Sequence, residues 1–246
     1  MNKKKLVFDI EMVGEDFDSM DELTKQDLMK SLPDEKLEPT KYEVELKELK
    51  RKLVFSPLTG KIIAIGVYDP DENRGAVYYD AAKTNPEDSE EDSIKYQAMT
   101  EAEMLTKFWA LAEVHDEFIS FFGRRSDVPY MMIRSAIHGI RPTRDLTSNR
   151  YSNTGIATAT HFDLAELLTF NGLAMYRGSL HRWCRAFGID TPKTDEMAGD
   201  KVDQAYKDGK FLDIAKYNSL DLKATAALYR HWERYFKPQM LREDYT

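Results

Sequence analysis

Leu6-Val7-Phe8-Asp9-Ile10-Glu11-Met12 is an apolar run that carries two carboxylates two positions apart. In an extended chain alternate residues share a face, so Asp9 and Glu11 point one way while Leu6, Phe8, Ile10 and Met12 point the other. Two like charges held that close repel and resist desolvation, and a cation between them relieves both costs. Carboxylate oxygens without nearby Cys or His ligands suit Mg²⁺ or Mn²⁺ rather than zinc. Read alone, a strand end with two solvated acids explains the run equally well, so the rest of the chain must decide.

The 246 residues, 42% of them hydrophobic, suffice for a substantial core. A single cysteine, Cys184, excludes an intramolecular disulfide and a cysteine-based zinc site, which fits a reducing compartment and an expected cytoplasmic location. Met1-Asn2-Lys3-Lys4-Lys5 is basic but runs straight into the first strand, and no apolar stretch reaches membrane-spanning length. The expectation is therefore no leader and no membrane. A net charge of -8 argues against a general nucleic-acid coat. Between Phe122 and Gly188, however, Arg124, Arg125, Arg134, Arg141, Arg144, Arg150, Arg177, Arg182 and Arg185 outnumber Asp127, Asp145, Asp163 and Glu166. An all-arginine basic zone in an acidic protein fits phosphate contact, although ordinary surface placement explains any one of these residues as well.

After the first strand, residues 13–52 form a highly charged stretch with helical patterning over Asp21 to Lys30 and Tyr42 to Leu53, broken by Pro33 and Pro39. It reads as a surface insertion and a possible docking arm for a protein partner. Lys61 to Tyr68, the turn Asp69 to Gly75 and Ala76 to Tyr79 read as a hairpin. Asn85 to Asp92 reads as an acidic loop. Thr100 and Glu103 make a capping box for a helix running through Met104, Phe108, Trp109 and Leu111, and Glu117 to Phe122 is an apolar strand. From Asp127 onward the pattern is helical: Val128 to His138, Asp163 to Phe170, Ser179 to Phe187, Val202 to Lys207 and Leu212 to about Tyr235. Strands early and helices late predict one α/β domain on a mixed sheet flanked by helices.

Asp127 follows a strand and starts a helix, with Pro129 next but one, which by itself is good N-cap chemistry. Tyr217 and Asp221 lie four apart on one helix face, in a helix interrupted by the poor helix formers Asn218 and Ser219. Alone, this pair is an aromatic packed beside a solvated acid. Asp163 with Glu166 reads as another capping pair, and the five histidines show no metal-ligand spacing.

In that order and those contexts, the three acidic segments resemble the motifs of the DEDD superfamily of 3′-5′ exonucleases, in its tyrosine-type branch. Phe8-Asp9-Ile10-Glu11 is similar to the first motif, Gly123 to Tyr130 to the second, and Tyr217-Asn218-Ser219-Leu220-Asp221 to the third. The resemblance is greatest to predicted stand-alone exonucleases related to the family B polymerase proofreading domain, and it extends to His161 to Leu168 and Leu180 to Ile189. The histidine-type branch would place His five residues before the last Asp, where this chain has Lys216. In the second motif the family usually carries Asn several residues before the Asp and an aromatic immediately before it; here those positions hold Phe122 and Ser126.

The resemblance implies a ribonuclease H-like fold and a metal-dependent 3′-5′ exonuclease acting on a single strand with a free 3′ end, DNA favoured over RNA. It implies that Asp9, Glu11, Asp127 and Asp221 hold two Mg²⁺ or Mn²⁺ ions about 3.5 to 4 Å apart and that Tyr217 orients the attacking water. Main-chain groups near Met12 and Val13 would take the terminal 3′ hydroxyl, and Arg124 and Arg125 would clamp phosphates. The altered Phe122 and Ser126 keep open an alternative of a catalytically weak or inactive nucleic-acid-binding module. A metal-dependent phosphoesterase acting on small nucleotides is a third reading, which the broad arginine zone disfavours.

Overall fold

A computed structural model of the chain describes residues 3–82, 84, 86–147, 159–190 and 201–237. Arg150 of the arginine zone and Asn85 of the acidic loop lie outside the described residues. The chain builds one seven-stranded sheet from β1 (Lys5–Gly14), β2 (Gly60–Asp69), β3 (Arg74–Tyr79), β4 (Ser89–Glu91), β5 (Ile94–Ala98), β6 (Glu117–Ser120) and β7 (Thr160–Asp163). Their spatial order is β4-β5-β3-β2-β1-β6-β7. β1 pairs antiparallel with β2 and parallel with β6, which puts the carboxylate strand at the centre of a mixed sheet.

The period-two alternation of β1 is used on both faces. Leu6, Phe8 and Ile10 pack beneath α3 (Glu101–Glu113) and α4 (Asp127–Ile137), against Met104, Phe108, Trp109 and Met131. Val7 turns to the opposite face, where α8 (Phe211–Tyr235), which follows α6 (Leu180–Phe187) and α7 (Val202–Lys207), lays Ala215, Leu222, Ala226, Tyr229 and Trp232 on the sheet. Asp9 and Glu11 share the Val7 face, so the carboxylates lie under α8 rather than at a solvated edge. A bulge between Glu11 and Met12 shifts the register against β2 at the end of the pair.

Several local expectations hold. Thr100 and Glu103 close the capping box of α3, with Thr100 N donating to Glu103 Oε2 at 2.8 Å and Glu103 N to Thr100 Oγ1 at 3.3 Å. Within residues 13–52, Asp21 caps α1 (Glu22–Met29), and Pro39 occupies the first turn of α2 (Pro39–Lys52), where its missing N–H costs nothing. The boundary at residue 13 moves, however, because β1 continues to Gly14. The segment folds back through Phe17, Met20 and Leu53, with Leu28, Leu46 and Leu49 against them.

Three expectations fail. The acidic loop contains edge strand β4, whose three residues are all exposed and so leave no hydrophobic alternation to read. Beside it lies β5, a five-residue strand with only Ile94 and Tyr96 buried, too short an alternation to signal a strand. The helix expected from Asp163 to Phe170 shrinks to α5 (Leu164–Leu167), preceded by β7, which exists by parallel pairing of Glu117 to Ser120 with Thr160 to Asp163. Among the described residues no helix is long and apolar enough to cross a membrane.

Candidate active site

The site forms where α8 crosses the end of β1. Asp9 pairs across the ladder with Gly66 of β2, and the missing side chain of Gly66 lets α8 seat Asn218 directly on the sheet. Asn218 is fully buried and its Nδ2 donates to Asp9 Oδ2 at 2.8 Å. One turn of α8 thus carries Tyr217, Asn218 and Asp221 towards the strand. One carboxylate oxygen from each of Asp9, Glu11 and Asp221 lies within 4.8 Å of the others, and all three residues are half-buried.

Asp127 does not join that group, yet it lies within electrostatic reach: its charge helps to push up both Asp9 and Glu11. It is the first residue of α4 rather than the cap, Ser126 holding that position without a side-chain cap bond. Asp127 is buried, and its Oδ2 has no hydrogen-bond partner among the described residues. Burial is the main reason its carboxyl is pushed up to about 7, with the Ser126 hydroxyl pulling the other way and Asp163 adding repulsion. Burial likewise raises Asp9 well above the usual carboxylate range, followed by repulsion from Asp127, Glu11 and Asp221. Glu11 is pushed up to about 8 by burial, then by Asp221 and Asp127. Repelling, half-desolvated carboxylates and an orphaned carboxylate oxygen fit a hard divalent cation, which would satisfy the lone pairs and cancel the repulsion.

Tyr217 is buried and hydrogen-bonds Asp221; burial first, then Asp221 and Glu11, raise its phenol above the usual range, so at neutral pH it donates and is no base. Lys216 turns away from the site and pairs with Glu91 of β4. Met12 is half-buried against the α3 and α4 core, and the Val13 side chain is buried with Ile63, Val202, Ala205 and Ile214.

Arg124 requires a correction. Its side chain is buried, with Nε 3.2 Å from Glu166 Oε2 and Nη2 donating to the His161 carbonyl. It is an internal strut rather than a phosphate clamp, because the guanidinium is already desolvated against a carboxylate. Arg125 is exposed and has no ion-pair partner among the described residues. Arg124→Ala is expected to cost about 3 kcal/mol, since it removes the cation paired with the buried Glu166 carboxylate. The salt dependence of strand binding should be unchanged, and a shallower slope in a fluorescence-anisotropy titration would reinstate the clamp.

Asp163 caps α5 as expected, accepting from Ala165 N at 3.0 Å and Glu166 N at 3.4 Å. It does more: the same carboxylate accepts from Phe122 N at 3.0 Å and Arg124 N at 3.1 Å, and so fastens the loop that delivers Asp127. No local pattern announces that role, which depends on β7 lying beside β6. Asn218 did leave a trace, as a poor helix former within a strongly helical run.

A central mixed sheet with carboxylates from its first strand, from a helix start and from a final helix laid across that strand is the ribonuclease H-like arrangement. The structure of the family B DNA polymerase from the hyperthermophilic archaeon Pyrobaculum calidifontis is similar, with a TM-score of 0.56 over 95% of this chain at 15% identity. The chain spans 25% of that polymerase, so the likeness is one of fold. Residues 76–246 match a family described as a predicted 3′-5′ exonuclease related to the exonuclease domain of PolB, and the chain belongs to that family. The matched span includes Asp127, Tyr217 and Asp221, while Asp9 and Glu11 precede it. No curated protein sequence matches the chain.

Proposed function

We propose that the protein is a tyrosine-type DEDD 3′-5′ exonuclease that removes nucleoside 5′-monophosphates one at a time from the 3′ end of a single strand, DNA favoured, in a reducing cytoplasm. The observation that carries this reading is the carboxylate cluster under α8, with oxygens of Asp9, Glu11 and Asp221 within 4.8 Å of one another. Asp9, Glu11, Asp221 and Asp127 would hold two Mg²⁺ or Mn²⁺ ions. When bound, such ions lower the pKa of water and neutralise charge developing at phosphorus. Asn218 keeps the Asp9 carboxylate oriented. Tyr217, protonated, hydrogen-bonds the attacking water, which adds to phosphorus as the P–O3′ bond breaks. The proton the water loses goes to solvent, and the departing 3′ oxygen takes one from solvent and becomes the new strand end. Main chain at the Glu11/Met12 bulge would receive the terminal 3′ hydroxyl, and Arg125 a phosphate upstream.

A second reading, a binding module without turnover, draws on Phe122 and Ser126, the two departures from the second motif. Digestion of 5′-labelled single-stranded DNA and RNA with Mg²⁺ or Mn²⁺, against EDTA, separates the two. A metal-dependent ladder shortening from the 3′ end is expected, faster on DNA. Bound but intact strands would install the module reading.

A further inference from the structure

Phe122 has a backbone φ of +67°, in the left-handed region that bulky residues rarely adopt, and the residue is 48% exposed. Gly or Asn would take this conformation with less strain, and the exposed ring contributes little to the core. Yet the position is held from every side. Phe122 N donates to Asp163 Oδ1, and Phe122 O accepts from Arg125 N and Ser126 N at 3.2 Å each. The adjoining Gly123 is fixed by Val128 N donating to its carbonyl at 2.8 Å, and a Cβ on Gly123 would stand 3.1 Å from Asp127 Oδ2. A strained, over-determined backbone therefore presents an aromatic ring to solvent, beside the loop residue that abuts a site carboxylate. Among the described residues that ring contacts no other ring.

We propose that Phe122 is a stacking platform for a nucleobase of the substrate strand, an inference that rests on the exonuclease reading. Every base has a π face, so the platform tolerates any sequence and favours the better-stacking purines. Because the backbone is already immobilised, the ring gives up little freedom on contact. Phe122 touches the substrate away from the reacting phosphate, so it governs strand affinity and not the chemical step.

The test uses the full chain, with Phe122→Gly, which suits the left-handed backbone and removes the ring, and Phe122→Trp, which restores one. Binding of a single strand carrying 2-aminopurine near its 3′ end is followed by fluorescence in Ca²⁺, and degradation of the same strand in Mn²⁺. Quenching by the wild type is expected, with roughly tenfold or greater weakening and loss of the quench in Phe122→Gly, and recovery in Phe122→Trp. KM should rise with kcat little changed, and the melting temperature of Phe122→Gly should be unchanged or higher. Unaltered binding, quench and degradation in Phe122→Gly would overturn the platform and leave the exonuclease standing. A clear fall in its melting temperature would overturn it too, by making the ring a packing element. A wild type that neither binds nor shortens the strand would remove both readings together.

Discussion

Asp9→Asn is expected to lower turnover by about a thousandfold or more and, in the same molecule, to raise the stability of the metal-free protein. The first effect follows from removing charge where several kcal/mol of transition-state stabilisation are delivered, about 1.4 kcal/mol for each factor of ten. The second follows from the carboxylates themselves. Asp9 is raised by burial and by three like charges, so ionising it in the fold is unfavourable, while Asn keeps an oxygen to accept from Asn218 Nδ2. An acid whose folded pKa lies above its unfolded value withdraws stability as pH rises from the unfolded pKa to the folded one, above which the loss is complete. Glu11 at about 8 and Asp127 at about 7 therefore predict that the metal-free wild type loses stability between about pH 4 and 8. Mg²⁺ or Mn²⁺ should reverse that loss, binding more tightly as those protons leave. At a hundred times its dissociation constant a metal adds about 2.7 kcal/mol, which for a chain this size is about 5–10 °C in melting temperature. Melts with Mn²⁺ and with EDTA across that pH range, on wild type and Asp9→Asn, check all of this together. A variant that melts lower without metal and keeps the full metal shift would make Asp9 a structural acid.

Gly66→Ala should destabilise the fold and disable the site through a single methyl group. A Cβ there falls on Asn218 Oδ1 and 2.6 Å from Leu222 Cδ1, both on the face of α8 that carries Tyr217 and Asp221. In an interior packed to crystal density the helix must lift, at a cost of about 1–3 kcal/mol, and the melting temperature should fall by about 2–12 °C. Displacement of about 1 Å between α8 and β1 separates the residues that must act together, and turnover should drop on the order of a hundredfold. The double variant Gly66→Ala, Asn218→Ala removes the worst overlap, so it should regain stability over Gly66→Ala without regaining activity. Wild-type melting and turnover in Gly66→Ala would show that Asn218 does not seat over β2.

Much of this site was legible before any fold was known. Alternation along Leu6 to Met12 put Asp9 and Glu11 on one face, and the four-residue step from Tyr217 to Asp221 put both on one side of a helix. The order of the acidic segments pointed to their family. Where reading went astray, the cause was pairing at a distance. Arg124 looks like any other exposed arginine in a basic zone until β7 brings Glu166 and the His161 carbonyl against it. Asp163 caps its own helix in sequence and fastens the Asp127 loop only in space.

By itself, then, the sequence determined the strand and helix periods, the caps at Asp21 and Thr100, and the residue types that can chelate a hard cation. Those are set by sterics and hydrogen bonds within a few residues. The tertiary structure alone decided that β4, β5 and β7 are strands, that Gly66 makes room for Asn218, and that Asp9, Glu11 and Asp221 meet while Asp127 stands beside them with an orphaned oxygen. Each of these depends on which distant segment lies alongside, and short exposed strands or a lone glycine carry no local signal of their partners.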